Sequence, residues 1–505
     1  MAYRSEFPRI CVALGAGEAS ALEKLAREAC DRGEEFLEFR LDALEEPSQG
    51  LNIIRRLKSR HPEVQVLATC RRRPNGGAFR GSIEEELRLL EAAVEAGAQS
   101  VDVEVETAGA APQRVKALRE RARVVVSYHN FQSTPALGPL LRLLAKNPAD
   151  LHKLITTAQK PSDNLRVLEA AAAARREPLL AFAMGEMGVP SRVLALARRS
   201  PFTYAAPLGA AGTAPGQVSS LLLRRQYRVE RHTAATQVFG VIANPVGHSI
   251  SPAVHNRAFQ ARHFDGVYVP FQVEPRHLTD FMTVVKGLPV AGFSVTIPHK
   301  QRVMRHLTAI DPVARQIGAV NTVYRKHGRL RGANTDAAGV TGPLEKRLKL
   351  KNKKILIVGN GGAARSAAFT LADTGAQVFL TGRNPAKVRA LARACGAAAL
   401  DAAQMAGRYF DVLVHATPLG MYPRVEESYF RDEIPADVVF DMVYNPLETL
   451  LAKNARKTGK KVICGLEMFL EQAAAQFEIW TGMEPPRLAM EAAAREALGA
   501  KTHAA

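Results

Sequence analysis

The 505-residue sequence predicts an α/β protein in two parts, an N-terminal (β/α)8 barrel followed by a two-lobed α/β unit whose second lobe is Rossmann-like. Three observations carry this. Residues 1–228 alternate eight short apolar runs with amphipathic stretches, and the alternation breaks at the polar segment RVERHTAATQ (228–237). Further on, the apolar run Lys354-Ile-Leu-Ile-Val leads straight into the glycine-rich turn Gly359-Asn-Gly-Gly-Ala363.

The barrel strands are read as RICVAL (9–14), EFLEFRL (35–41), VQVLATC (64–70), SVDVEVE (100–106), RVVVSYH (123–129), LHKLIT (151–156), PLLAFAM (178–184) and FTYAA (202–206). Helical periodicity marks Ala21–Arg32, Ile83–Ala96 and Asn164–Arg175 between them. Eight strand–helix units in this length fit a compact barrel; periodicity alone also allows an open doubly wound sheet. A linker is read at 229–236. VFGVIAN then opens an α/β lobe over 237–340, the Rossmann-like lobe covers 341–467, and a helical pattern from Met468 to Leu498 completes the earlier lobe.

Hydrophobic content of 47% with 23% charged residues describes a soluble, folded chain, and no apolar run is long enough for a bilayer. The opening MAYRSEFPRICVAL has no signal-like apolar core, and Cys11, Cys30, Cys70, Cys395 and Cys464 form no CxxC pair. A cytoplasmic location and no bound metal are therefore expected. The net charge of +19 raises nucleic acid and anionic membrane as partners. Yet the densest basic clusters, Lys346–Lys354 and Arg224–Arg231, lack interleaved aromatics, and the chain has one Trp to stack on bases. Neither partner is expected; the same field suits small anionic substrates. The sequence leaves the oligomeric state open, with a homodimer as one arrangement.

In a (β/α)8 barrel, chemistry gathers at the C-terminal strand ends. Here those ends carry Glu38, Arg40, Arg71, His129 and Lys153, with Arg192 in the loop after strand seven and TAPGQ, ending at Gln217, after strand eight. A lysine in an apolar strand among guanidinium groups is desolvated and cation-crowded, and both effects favour the free amine that attacks a carbonyl. A histidine across the barrel moves protons near neutral pH. Arg40, Arg71 and Arg192 suit a carboxylated, polyhydroxylated ligand through forked hydrogen bonds. Taken singly, each residue also reads as a snorkelling lysine or a structural histidine. Their convergence on one rim is what points to a site.

In the second part, glycines in the 359–363 turn let a backbone approach a pyrophosphate seated on a helix N-terminus. The run VFLTG ends at Arg383, where such folds read the ribose; an arginine there, with no acidic residue in VFLTGRN, favours NADP over NAD. A mononucleotide site or an empty Rossmann-like fold is the alternative. Ahead of it, Ser249 and Ser251 sit two residues apart in a proline-bounded turn, able to donate jointly to one carboxylate. Thr296 and Lys300 end an apolar run, and Asn321 and Asp336 end two shorter ones. Lys300 and Asp336, if adjacent, form an acid–base pair able to give an alkoxide its proton as hydride arrives. Each cluster alone also reads as a turn or a cap.

Two family resemblances follow from these residues. Glu38-Phe-Arg40-Leu-Asp42, Thr69-Cys70-Arg71 with Gly76-Gly77, Ser127-Tyr128-His129-Asn130-Phe131 with Thr134-Pro135, Met184-Gly185 with Ser191-Arg192, and Thr213-Ala-Pro-Gly-Gln217 together resemble the type I 3-dehydroquinate dehydratase family. The resemblance implies that Lys153 forms a Schiff base with the substrate ketone. His129 then removes the C2 proton and protonates the leaving C1 hydroxyl. It also implies Arg192, Thr213 and Gln217 on the carboxylate, and Glu38, Arg40 and Arg71 on the ring hydroxyls. Asn75 departs from the pattern, since the family places there an acidic residue that orients the histidine; an amide still holds the ring but does not stabilise imidazolium. Thr213 stands where the family has serine.

The second-half clusters, extended by Asn256, Ala416-Thr417-Pro418-Leu-Gly420-Met421, Asp441-Met-Val-Tyr444-Asn-Pro446 and Gly465-Leu-Glu-Met468 with Gln472, resemble the shikimate dehydrogenase family. This implies Ser249 and Ser251 on the carboxylate, and Thr296, Asn321, Asp336 and Gln472 on the hydroxyls and ketone. Lys300 with Asp336 would be catalytic and Tyr444 would line the cleft. NADP(H) would lie along Gly359, Gly361, Gly362, Ala363 and Arg383, with its nicotinamide near Thr417, Met421 and Gly465. Asn360 and Gly382 depart from the commoner residues of the cofactor motifs. Together the resemblances imply one chain that is both lyase and oxidoreductase, taking 3-dehydroquinate through 3-dehydroshikimate to shikimate on the way to aromatic amino acids. A preference for quinate is disfavoured by the presence of both Ser249 and Ser251. A degenerate barrel has only Asn75 in its support. Tethering the two activities does not by itself imply that the intermediate is handed across.

Overall fold

The computed structural model describes residues 7–174, 177–210, 212–430 and 433–502, so the first six residues and the end of the expected 164–175 helix lie outside the described residues. By packing, the chain forms two compact units, Met1–Val238 with Val269–Val290 and Phe239–Tyr268 with Ala291–Ala505.

Eight parallel strands lead the chain: β1 (Ile10–Leu14), β2 (Phe36–Arg40), β3 (Gln65–Thr69), β4 (Ser100–Glu104), β5 (Arg123–His129), β6 (Leu151–Thr157), β7 (Leu179–Met184) and β8 (Thr203–Ala205). All eight expected strands form, each within two residues of its expected ends. Their ladder runs β7-β6-β5-β4-β3-β2-β1-β8, so β1 pairs with β2 and β8 while β7 and β8 are not paired. Strands buried on both faces read as continuous apolar runs, and β1 and β7 are buried at every residue. Phe7, Phe36 and Phe202 pack their rings 5.1–5.7 Å apart and fill the end where the strands begin. Toward the other end, register brings polar residues level: Thr69 opposite Asp102, Glu104 opposite Ser127, and Ser127 opposite Lys153. A polar layer thus caps an apolar one, which is what places the site.

The next sheet comprises β9 (Gln237–Ala243), β10 (Gly266–Gln272), β11 (Val290–Val295), β12 (Ala309–Ile310), β13 (Thr322–Lys326) and β14 (Arg329–Ala333), in the order β10-β9-β11-β13-β14-β12. β13 and β14 form an antiparallel hairpin. The last sheet is parallel: β15 (Lys354–Val358), β16 (Gln377–Thr381), β17 (Ala398–Ala399), β18 (Phe410–His415), β19 (Ala436–Asp441) and β20 (Lys461–Cys464), ordered β17-β16-β15-β18-β19-β20. Strand order reverses between β15 and β18, the crevice where doubly wound sheets bind ligands. The expected helical run Met468–Leu498 is two helices, Gly465–Thr481 and Arg487–Thr502. Gly482 takes the left-handed conformation (φ +67°) and Pro485-Pro486 follows, which stops the first helix and starts the second.

Candidate active sites

At the C-terminal ends of the barrel strands, a cavity enclosing about 440 Å³ of space open to its mouth gathers Glu38, Arg40, Arg71, His129, Lys153, Arg192, Thr213 and Gln217. Every dehydratase residue singled out from the sequence lines this one space. Two residues that sequence reasoning missed, Asp102 and Tyr204, complete it. Lys153 Nζ donates to Asp102 Oδ2 and Tyr204 Oη, each at 2.8 Å, and lies 3.7 Å from Glu38 Oε1. Asp102 also accepts from Ser127 Oγ at 2.6 Å. The expectation of a cation-crowded lysine is therefore corrected: carboxylates from β2 and β4 flank its amine. Asp102 is held below the usual carboxylate range against the pull of burial, by Lys153 and Arg71.

The arginines divide by partner. Arg40 is clamped by both oxygens of Asp42 at 2.9 and 2.8 Å. Arg71 faces Glu104 Oε1 at 3.2 Å and Asp102 Oδ1 at 3.4 Å. Arg192 is 1% exposed, lies over the Phe182 ring at 4.4 Å, and makes one bond, Nη1 to Tyr204 O at 3.3 Å. Its Nε and Nη2 reach no partner, and burial lowers its pKa to about 9. A buried guanidinium with two idle donors calls for an anion. Thr213 and Gln217 bond each other, the Thr213 amide donating to Gln217 Oε1 at 2.7 Å, so their loop closes on itself beside the cavity.

His129 stacks on Phe131 at 6.1 Å and its Nδ1 has no partner. Burial first, then Arg71, Lys153 and Arg40, hold its pKa well below 6.5, so it is a neutral base. Asn75 does not hold the ring as expected. Its Nδ2 donates to Glu106 Oε2 at 2.8 Å, because the short 73–75 helix turns its side chain toward the chain segment after β4.

In the second unit, Lys300 Nζ donates to Asp336 Oδ2 at 2.5 Å. Asn321 Nδ2 donates to Asp336 Oδ1 at 2.8 Å and lies 3.5 Å from Gln472 Oε1, so four of the expected reductase residues meet. Register explains it: β13 starts directly after Asn321 and lies beside β14, while Asp336 is the first residue of the helix Asp336–Glu345. Ser249 and Ser251 stand together, the Ser251 amide donating to Ser249 Oγ at 3.2 Å. Thr296 follows β11, and Tyr444 packs on Phe469 at 5.2 Å.

The glycine turn opens on a cleft of about 1300 Å³ lined by Lys300, Asn360, Gly361, Gly362, Arg365 and Lys387. Gly359 holds φ +133°, and a Cβ there would meet Ala416 O at 2.6 Å, so the turn requires glycine. Gly361 and Gly362 are exposed at the start of the helix Gly362–Asp373, and Asn360 Nδ2 is buried without a partner beside them. Open main-chain donors, an idle amide and a helix N-terminus fit a dinucleotide's phosphates. Arg383 is exposed just past β16. Gly465 opens the helix Gly465–Thr481, where a Cβ would meet Met442 O at 2.5 Å. Thr417 Oγ1 bonds His415 Nε2 at 2.5 Å, and Met421 is 45% exposed. Neither Arg383 nor Met421 lines the cleft beside Lys300.

Family sequence models match four segments: type I 3-dehydroquinase at 10–234, shikimate dehydrogenase substrate binding domain at 241–323, shikimate/quinate 5-dehydrogenase at 344–435, and shikimate 5′-dehydrogenase C-terminal domain at 465–495. The chain is 33% identical over 499 residues to the chloroplastic bifunctional 3-dehydroquinate dehydratase/shikimate dehydrogenase of Arabidopsis thaliana, covering 93% of this chain and 82% of that one. It is 41% identical over 286 residues to the NADP(+) shikimate dehydrogenase of Moorella thermoacetica, covering 53% of this chain and 96% of that one. Among solved structures, the shikimate 5-dehydrogenase of Thermus thermophilus with NADP(H) and shikimate is 36% identical, with 52% of this chain and all of that one covered, at a TM-score of 0.49.

Proposed function

The chain belongs to the bifunctional 3-dehydroquinate dehydratase/shikimate dehydrogenase family, and on that premise we propose which of its residues carry each reaction. It is a lyase and an oxidoreductase of the shikimate pathway, converting 3-dehydroquinate through 3-dehydroshikimate to shikimate.

In the dehydratase, Lys153 Nζ attacks the substrate ketone and water leaves, forming an iminium. Neutral His129 takes the C2 proton, and the C–H electron pair moves into the iminium to make an enamine. Collapse of the enamine expels the C1 hydroxyl, which departs as water with the proton from His129. Water then hydrolyses the imine, freeing Lys153 and the enone product; no electrons are gained or lost overall. Asp102 and Tyr204 hold the amine in place through their 2.8 Å bonds. Arg192 takes the carboxylate, with Thr213 and Gln217 closing over it, and Glu38, Arg40 and Arg71 face the ring hydroxyls. The observation that carries the reading is a single cavity holding an amine, an unpartnered neutral imidazole and an unsatisfied guanidinium.

In the reductase, Ser249 and Ser251 take the carboxylate, and Thr296, Asn321 and Gln472 take the hydroxyls. Lys300 passes a proton to the carbonyl oxygen, Asp336 holds Lys300 in place, and Tyr444 closes the cleft. Gly359, Gly361, Gly362 and Ala363 would hold the phosphates of NADP(H), Arg383 its 2′-phosphate, and Thr417, Met421 and Gly465 its nicotinamide. When bound, NADPH supplies the hydride.

The domain limits follow as a barrel over 1–228, a linker at 229–236, a substrate lobe over 237–340 completed by 468–498, and a cofactor lobe over 341–467. The three sheets support them, since each has its strands inside one segment. A cytoplasmic location rests on five cysteines that are all free. Among the described residues no helix is long and apolar enough to cross a membrane. Two variants test the assignments. Lys153→Ala should abolish dehydroquinate consumption and spare NADPH oxidation with dehydroshikimate, and Lys300→Met should do the reverse; loss of both activities in either variant contradicts the division.

A further inference from the structure

Asp336 and Ser251 are the two ends of a buried hydrogen-bond chain whose middle members, Thr322, Gln476, Ser294 and Tyr268, have no part in the reaction above. Asn321 Nδ2 donates to Asp336 Oδ1 at 2.8 Å, and Asn321 Oδ1 accepts from Thr322 Oγ1 at 2.7 Å. Gln476 Nε2 donates to Thr322 Oγ1 at 3.0 Å and to the main-chain oxygen of Asn321 at 3.2 Å. Gln476 Oε1 accepts from Ser294 Oγ at 2.8 Å, Ser294 Oγ accepts from Tyr268 Oη at 2.7 Å, and Tyr268 bonds the Ser251 hydroxyl. Gln476 is 1% exposed and lies four residues after Gln472 on the same helix.

The direction of the protons in this chain follows from its groups of fixed type, the Asn321 carbonyl, the Thr335 main-chain N–H and the Asp336 carboxylate. The Asn321 carbonyl only accepts, so it must face the Gln476 NH2; the flipped amide would set its oxygen against that carbonyl. Gln476 Oε1 therefore faces Ser294, which must donate to it. Tyr268 then spends its single proton on Ser294 and can only accept from Ser251. On the other side, Thr322 receives from Gln476 and gives its own proton to Asn321 Oδ1, while the Asp336 carboxylate takes Asn321 Nδ2. The Thr335 amide adds a second bond to Asn321 Oδ1 at 2.8 Å.

We propose that Gln476 is a positioning residue of the reductase, whose amide ties Ser294 to the Asn321 main-chain oxygen and Thr322 and so holds Asn321 in place beside the Lys300–Asp336 pair. This rests on the reading of Lys300 and Asp336 as the reducing pair. The titratable groups facing Gln476 are His255, stacked on Tyr268 at 4.6 Å, Tyr268 itself, and Asp336 with Lys300 beyond Asn321. Burial holds His255 neutral, at about 3, and keeps Tyr268 protonated.

The test compares Q476M, Q476E and K300M in the full chain. A protonated glutamic acid carries one donor and one acceptor and restores the chain's direction; a carboxylate carries only acceptors. Burial raises a glutamate's pKa, so the switch falls within an ordinary assay range. Q476M should lose kcat about tenfold at every pH, the cost of a lost buried hydrogen bond. Its NADPH affinity, read by fluorescence, and its dehydratase rate should hold, which shows that both units are folded. Q476E should match wild type near pH 6 and fall to the Q476M rate near pH 9. A constant ratio of Q476E to wild type across that range, or wild-type kcat in Q476M, overturns the proposal. An active K300M overturns instead the reading on which it stands.

Discussion

Replacing Arg192 by methionine should make the barrel more stable and the dehydratase nearly unable to bind its substrate. The guanidinium is 1% exposed, has two donors without partners, and meets only the Tyr204 carbonyl and the Phe182 ring. A pKa lowered from 12.5 to about 9 by burial corresponds to roughly 5 kcal/mol against the charged form in the empty site, at 1.36 kcal/mol per unit. Relaxation and water entry reduce that sum, and replacing buried charges by apolar residues of similar volume typically returns about 1–4 kcal/mol. About 2 kcal/mol is a fair expectation, which in a unit of this size raises the melting temperature by about 4–8 °C. Losing a charge-assisted, forked bond to the substrate carboxylate should lower dehydratase kcat/KM by about 100–1000-fold. Calorimetry of the full chain, paired with dehydroshikimate formation followed by absorbance, reads both quantities. Opposite movement of stability and affinity is the signature of an anion site preorganised at a cost. An R192M barrel that melts lower than wild type, or that keeps kcat/KM within a few-fold, would refute the reasoning.

Four further outcomes are expected. Burial pushes the Glu104 carboxyl up to about 8, so the folded barrel keeps a proton that the unfolded chain releases above 4.5; stability from this group is complete below pH ~4.5 and lost as pH rises through ~8. E104Q removes the effect, and its melting temperature should exceed that of wild type by a margin that widens toward pH 8; a gap that is constant with pH contradicts it. His129 is held neutral well below 6.5, so dehydratase kcat/KM should stay level as pH falls through 6.5 and drop only at lower pH; half-loss near 6.5 would oppose the assignment. D336N should cut reductase kcat by about 100-fold with NADPH affinity unchanged, since the Lys300 amine loses its 2.5 Å carboxylate; loss of NADPH binding instead would move Asp336 out of the proton step. R383A should raise KM for NADPH by about 10–100-fold and leave KM for NADH nearly unchanged; equal effects on both cofactors would remove Arg383 from the 2′-phosphate.

The barrel was legible because strands buried on both faces leave continuous apolar runs, and Lys153 stands out within one of them. Its neighbours were not legible in the same way. Asp102 and Glu104 lie in a strand that was read correctly, but alternating carboxylates in SVDVEVE look like a solvent face until the ladder sets Asp102 beside Lys153. Tyr204 was lost inside FTYAA, a run that names a strand and nothing more. The environment of Lys153 is hidden for the same reason: its nearest groups come from β4, β8 and β2, far away in sequence, and two of the three are acids. Asn75 stands where the resemblance places the residue that orients the histidine, yet its partner is Glu106, because three residues of tight helix turn the side chain that way. In the second unit the Lys300–Asp336 pairing was legible as two polar strand ends. The Gln476 chain was not, because it joins residues from separate strands and helices, none unusual alone. The Gly482 and Pro485-Pro486 break stands in the sequence itself, inside the single helical run expected over Met468–Leu498.

Reduction with borohydride during turnover of 3-dehydroquinate, read by intact mass and then by peptide mapping, tests the central claim that this barrel works through an imine at Lys153. The account predicts one added mass equal to the reduced substrate or product imine, located on the peptide that contains Lys153, and none in K153A. An unmodified chain that still converts dehydroquinate, or an adduct on any other lysine, would contradict it.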